Sequence, residues 1–211
     1  IIGFITLGVS LLLPDVSYSP EMAGIMERFK DAITIEQLEE MNRQTEMLPF
    51  HPVWLALLSG MFAGLTINAI AGFGEELGWR SFLLKQLGNK SFWEASLITG
   101  FIWGIWHAPI ILLGHNYPQH PEWGVLLMTI FCIVLSPLFT YITIKAKSVI
   151  AAAIMHGTLN GTAGISLMLI YGGDDLTVGL TGLSGIISIL LIVIFLYIYD
   201  IFISKEKIML G

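Results

Sequence analysis

The stretch FWEASLITGFIWGIWHAPIILLG, residues 92–114, decides the class of fold. Beyond Glu94 its only ionisable side chain is His107. A helix of about 20 mostly apolar residues crosses a hydrocarbon core about 30 Å thick, and this run meets that length. Comparable runs occupy 52–72, 123–144, 148–171 and 180–203. The pattern predicts an all-α fold, a polytopic transmembrane helix bundle with five complete spans. A partial sixth lies at 1–13, which has no basic start and no small-residue cleavage site and so reads as the end of a truncated membrane helix rather than a signal peptide. More helices are expected upstream of it.

Composition agrees with the bilayer as solvent. Of 211 residues 55% are hydrophobic and 12% charged, against about 25% charged in soluble domains. A net charge of -6 with no Lys and Arg cluster sets nucleic acid aside as a partner, because phosphate binding needs concentrated positive charge. The single cysteine, Cys132, excludes an internal disulfide and a thiolate metal cage. Inside an apolar run it reads as a small packing residue.

Residues 1–211 read as a single membrane-embedded domain, with a polar segment over 14–50 outside the membrane and a core over 72–160 that carries the motifs. Within 22–47 the apolar residues Ile25, Phe29, Ile33 and Leu38 fall at helical spacing, predicting an amphipathic helix or helical hairpin on the membrane surface. Arg80, Lys85, Lys90, Lys145, Lys147, Lys205 and Lys207 fall on one side of the predicted bundle. The other side holds Arg28, Lys30 and Arg43 among Glu21, Glu27, Asp31, Glu36, Glu39, Glu40 and Glu46, together with Asp174 and Asp175. The positive-inside rule makes the first side cytoplasmic, for a multi-pass protein of the cell membrane. Glycines four apart, Gly60 with Gly64, Gly100 with Gly104 and Gly157 with Gly161, allow close helix contacts. Ser136-Pro137 predicts a kink.

Ionisable side chains in membrane spans are costly and face a protein interior or a wet cavity, so each marks a candidate site. Three clusters qualify. In the first, Glu75-Glu76-Leu77-Gly78-Trp79-Arg80, Glu76 and Arg80 are four apart and share a helix face. Glu75 is rotated by about 100° from Glu76 and is available to a cavity, where a carboxylate withdrawn from water is a better proton acceptor. The second places Trp103 and His107 four apart, with Pro109 loosening the local backbone ladder. The third places His156 and Asn160 on one face, a pair that can donate to an oxyanion or make a polar helix contact. Together they supply a base, a histidine and an oxyanion clamp. His51, His115 and His120 fall at span ends or in the outer loop, and Asn68 reads as a helix contact.

In this order on successive helices, the three clusters resemble the motifs of the CAAX protease and bacteriocin-processing (CPBP, or Abi) family of intramembrane endopeptidases. The family patterns are Glu-Glu-x-x-x-Arg, an aromatic residue followed four positions later by His, and His-x-x-x-Asn, matched by Glu75, Glu76, Arg80, Trp103, His107, His156 and Asn160. Trp103 stands where Phe is commoner. The resemblance implies that Glu75, with His107, activates a water, and that His156 and Asn160 stabilise the tetrahedral oxyanion. Glu76, Arg80 and Trp103 are then structural support. It implies a peptide or lipidated-protein substrate, prenylated or otherwise held at the bilayer.

No cofactor is expected. The alternative is Zn held by Glu75, His107 and His156, although the His-Glu-x-x-His spacing usual for a zinc protease is not present. Rival functions are a catalytically idle membrane scaffold or bacteriocin-immunity protein, and a proton-coupled transporter using Glu75, His107 and His156 as a relay. The protease reading carries one geometric requirement. His107 lies about 22 Å into its run at 1.5 Å per residue, so either the preceding helix continues past Gly72 with Glu75 inside the membrane or the run starting at Phe92 begins well below the bilayer; the first is expected, with a wet cavity open to the cytoplasm.

Overall fold

A computed structural model describes residues 1–29 and 34–211; Lys30, Asp31 and Ile33 of the polar segment lie outside the described residues. The first helix, α1 (Ile2–Ser10), leads to a two-residue strand β1 (Ser17–Tyr18). Two helices follow in the polar segment, α2 (Ala23–Phe29) and α3 (Ile35–Glu46). The start of α3 is set by a capping box: the Thr34 hydroxyl accepts from Gln37 N–H, and the Gln37 amide oxygen accepts from Thr34 N–H.

The run predicted as one span over 52–72 is a bent pair. Helix α4 (Pro52–Leu65) and α5 (Ile67–Glu76) meet at Thr66, whose φ of -122° and ψ of -100° leave the helical region. The chain bends by 49° there. It then continues past Gly72 through π-helical turns over Leu77–Leu83 and a last α turn, α6 (Leu84–Gln86). The next run is also interrupted. Helix α7 (Phe92–Trp106), started by a Ser91/Glu94 capping box, stops at His107, and a single turn α8 (Ala108–Ile111) follows. Pro109 has no N–H for the Ile105 carbonyl, which accounts for the break.

Helix α9 (Pro121–Ala146) runs unbroken through Pro137. Then come α10 (Val149–Thr162), the short α11 (Ile165–Met168), strand β2 (Ile170–Tyr171) and α12 (Leu183–Phe202). The predicted run over 148–171 therefore ends as a strand, β2 pairing antiparallel with β1, Ser17 opposite Tyr171 and Tyr18 opposite Ile170.

The fold is all-α in character and its apolar helices suit a membrane. Among the described residues, α9 and α12 are each long and apolar enough to cross one, and the bent pair makes a third. The expected count of five complete spans is not reached by single helices of that length: α7 and α10, of 15 and 14 residues, are shorter than the roughly 20 of a straight crossing. Both end next to motif residues.

Glycines bring the motif helices together. A Cβ on Gly60 would lie 2.1 Å from Gly161 O, and one on Gly157 would lie 2.4 Å from Gly64 O. Only hydrogen at these positions lets α4 and α5 lie against α10, with Asn68 beside Gly157 and Gly161 in the same contact. Gly100 and Gly104 do the same for α7 against α9, where added Cβ atoms would meet Cys132 O at 2.7 Å and Thr129 Cα at 2.5 Å.

The two ends of the bundle differ in charge. At the C-terminal end of α9, Lys145 pairs with Glu206 at 2.9 Å, and Phe92 N–H donates to Gly211 O, so Lys90, Lys145, Lys147, Lys205 and Lys207 gather at one end. At the N-terminal end of α9, His120 Nδ1 meets Asp175 Oδ1 at 2.6 Å, and Tyr117 OH donates to Thr181 O. Arg28 donates to Gly172 O at this end.

Candidate active site

Glu75 and Glu76 close α5, and their consecutive positions send them to different partners. Glu76 is fully buried. Its Oε1 lies 2.8 Å from His156 Nδ1 and its Oε2 lies 3.3 Å from Arg80 Nη1. His156 reaches it across Gly72, one turn earlier on α5, where a Cβ would meet the imidazole at 3.2 Å. Glu75 is only half-buried, and its Oε2 accepts the indole N–H of Trp103 at 3.2 Å.

Arg80 sits in the π-helical turns, a backbone form often found at functional sites. Its guanidinium carbon lies 4.6 Å from the ring centroids of both Trp103 and Phe139, in the angle between the two rings, whose own centroids are 5.5 Å apart. Its Nη2 donates to Ser136 Oγ at 3.2 Å. A planar guanidinium over aromatic rings is held by cation–π attraction. Lysine, a compact charge on a flexible stem, does not reproduce that plane.

Trp103 stands at the centre. Its ring centroid is 5.5 Å from Phe139, 5.6 Å from His156 and 5.9 Å from His107. His107, half-buried at the end of α7, places Nδ1 2.8 Å from the Trp103 carbonyl. Residues from α5, α7, α9 and α10 thus converge: Glu75, Trp103 and His107 form one linked set, Glu76, Arg80 and His156 another, and the Trp103 ring touches both. Asn160 lies one helical turn beyond His156 and is exposed; its side chain makes no hydrogen bond among the described residues.

The helix does continue past Gly72, and this continuation carries Glu75 to Trp103, the neighbour of His107 in the next turn. Ser136 and Phe139 complete the site without having been singled out for it. Their signal was in the sequence, a buried hydroxyl and an aromatic three apart on one helix face, with Ser136 read only as part of a kink.

Among the described residues no group of three His, Cys, Asp or Glu side chains is arranged to hold a metal ion. Glu75, His107 and His156 each have one side-chain oxygen or nitrogen engaged by a protein partner.

Apolar helices closed around buried Glu, Arg and His side chains define an integral membrane helical protein with an ionisable site inside the bundle. The chain belongs to the type II CAAX prenyl endopeptidase Rce1-like family, whose family model matches residues 49–162. All seven motif residues fall within that match. Over 102 residues the chain is 29% identical to CAAX prenyl protease 2 of Methanococcus maripaludis, which covers 46% of this chain and 38% of that protein. The matched stretch is therefore well under half of the curated relative's length. No solved structure matches.

Proposed function

We propose that this protein is an intramembrane endopeptidase that hydrolyses a peptide bond of a membrane-associated or prenylated peptide, using a water activated by Glu75. The observation that carries this reading is the placement of Glu75 and His107 on the two sides of Trp103, with His156 against the same ring.

In the reaction, Glu75 takes a proton from water while the water oxygen bonds to the scissile carbonyl carbon, whose π electrons move onto its oxygen. His107 accepts the water's other hydrogen bond. The oxyanion is held by His156 and Asn160. With Nδ1 of His156 donating to the Glu76 carboxylate, the hydrogen bond to the oxyanion comes from Nε2–H of an imidazolium, the form in which both ring nitrogens donate. Collapse of the intermediate breaks the C–N bond, and the leaving amine takes its proton from Glu75. Arg80 balances the Glu76 charge. The cavity opens towards the Lys-rich end of the bundle, on the cytoplasmic side by the positive-inside rule. No metal takes part.

Cleavage of a panel of quenched-fluorescent peptides, prenylated ones included, tests the reading with the full-length protein. Glu75→Gln is expected to lower kcat by about 10²–10⁴-fold and Asn160→Ala by about 10²–10³-fold, with no effect of a chelator. Full activity in Glu75→Gln refutes the assignment of the base, and loss of wild-type activity on chelation refutes the metal-free mechanism.

A further inference from the structure

Trp103 meets the site through two unlike groups. Its indole N–H donates to Glu75 Oε2 at 3.2 Å, and its main-chain carbonyl faces His107 Nδ1 at 2.8 Å. The second contact has a local cause. With Pro109 unable to donate to Ile105 O, α7 tightens at its end and His107 N–H turns to Gly104 O at 3.2 Å. The Trp103 carbonyl, which an uninterrupted helix would pair with that N–H, goes to the imidazole instead. A carbonyl only accepts, so Nδ1 carries the proton and neutral His107 presents Nε2 as an acceptor. On Glu75, Oε2 is engaged while Oε1 has no protein donor among the described residues.

The indole itself has little freedom. Trp103 is 3% exposed, with the Arg80 guanidinium over its face and Phe139 edge-on. A buried indole N–H needs an acceptor, and here that acceptor is the carboxylate. Phenylalanine would keep the aromatic wall and lose the donor.

We infer that Trp103 is a positioning residue for the water-activating pair. Its side chain fixes the Glu75 carboxylate and its carbonyl fixes the His107 tautomer, which leaves Glu75 Oε1 and His107 Nε2 to receive the two hydrogens of one water. The inference rests on Glu75 being the base, as proposed above.

The test compares full-length wild type with Glu75→Gln, Trp103→Phe and a chain carrying benzothienylalanine at 103, which keeps the bicyclic shape and replaces N–H by sulfur. Both changes at Trp103 are expected to lower kcat by about tenfold or more with KM nearly unchanged, as loss of a hydrogen bond to a charged group acting on the chemical step predicts. The unfolding temperature of the benzothienylalanine protein stays at the wild-type value. Wild-type kcat in that protein overturns the inference, and so does activity lost in Trp103→Phe but restored by benzothienylalanine, which would make the role one of bulk. A second arm needs no turnover: ultraviolet resonance Raman of the Trp103 indole, isolated as the wild type minus Trp103→Phe difference, is expected to lose its hydrogen-bonded N–H signature in Glu75→Leu. An unchanged signature overturns the contact itself. Full activity in Glu75→Gln instead overturns the assignment of the base, so the two failures are told apart.

Discussion

His156 Nδ1 and Glu76 Oε1 lie 2.8 Å apart, although 80 residues separate them in the chain. The contact joins α10 to α5 inside the bundle and gives Glu76 two cationic or donor partners at once, His156 on one oxygen and Arg80 on the other. Glu76 is therefore the electrostatic anchor of the candidate site, while its neighbour Glu75 remains available for chemistry.

Removing that anchor strands Arg80, which is 3% exposed. Glu76→Gln is expected to destabilise the protein by about 3–5 kcal/mol, the usual range for breaking a buried ion pair. Ser136→Ala, which removes only one hydrogen bond from the charged Arg80, is expected to cost about 1.5–3 kcal/mol. Thermal unfolding in one detergent orders the two variants, and equal shifts would refute the ranking.

Packing by glycine predicts a second contrast. A methyl group at Gly157 would sit 2.4 Å from Gly64 O, backbone that cannot move aside cheaply, whereas one at Gly8 meets nothing within 4 Å. Gly157→Ala should cost at least about 1–3 kcal/mol, as overpacking does, and should lower cleavage by displacing His156. Gly8→Ala should be neutral or stabilising by about 0.5–1 kcal/mol through helix propensity. Unfolding temperature and cleavage measured together check both.

Pro109 offers a third. Pro109→Ala restores an N–H to Ile105 O and allows α7 to continue, so stability should hold or rise. The Trp103 carbonyl is then drawn back into the helical ladder and His107 loses its Nδ1 partner. A fall in kcat of roughly tenfold without a fall in unfolding temperature is the expected result; wild-type kcat would show that the helix break does not orient His107.

A pH dependence follows from the opposite end of the bundle. His120 is raised above its usual 6.5 by its hydrogen bond to Asp175, with the charges of Asp175 and Asp174 adding to the effect. A histidine raised on folding contributes stability that is complete below its unfolded value and is lost as pH rises through the folded one. The unfolding temperature should therefore fall between about pH 6.5 and the raised folded value, and His120→Gln should flatten that part of the curve.

The class of fold was legible because composition and run length report directly on the solvent: stretches such as 92–114 and 180–203 cannot be left in water. The motif residues were legible for a related reason, since each is a polar group that lipid would reject without a partner. Helix integrity was read less well. Thr66 bends α4 into α5, and the 148–171 run ends in a strand, because hydropathy measures how apolar a run is and carries little about where its backbone ladder breaks. Pro109 was visible as a loosening, but the consequence for the Trp103 carbonyl depends on which way the His107 ring turns.

By itself the sequence determined that the chain is helical, lives in a bilayer and carries Glu, Arg, His and Asn at helical spacings, for these properties follow from local periodicity and the cost of burying charge. Only the tertiary structure decided which partners those groups take: the Trp103 N–H for Glu75, the two aromatic rings for Arg80, Glu76 for His156 and Ser136 for the guanidinium. Those choices join residues 23 to 80 positions apart, and they depend on glycines that let one helix backbone touch another, a fit between surfaces that no single helix contains.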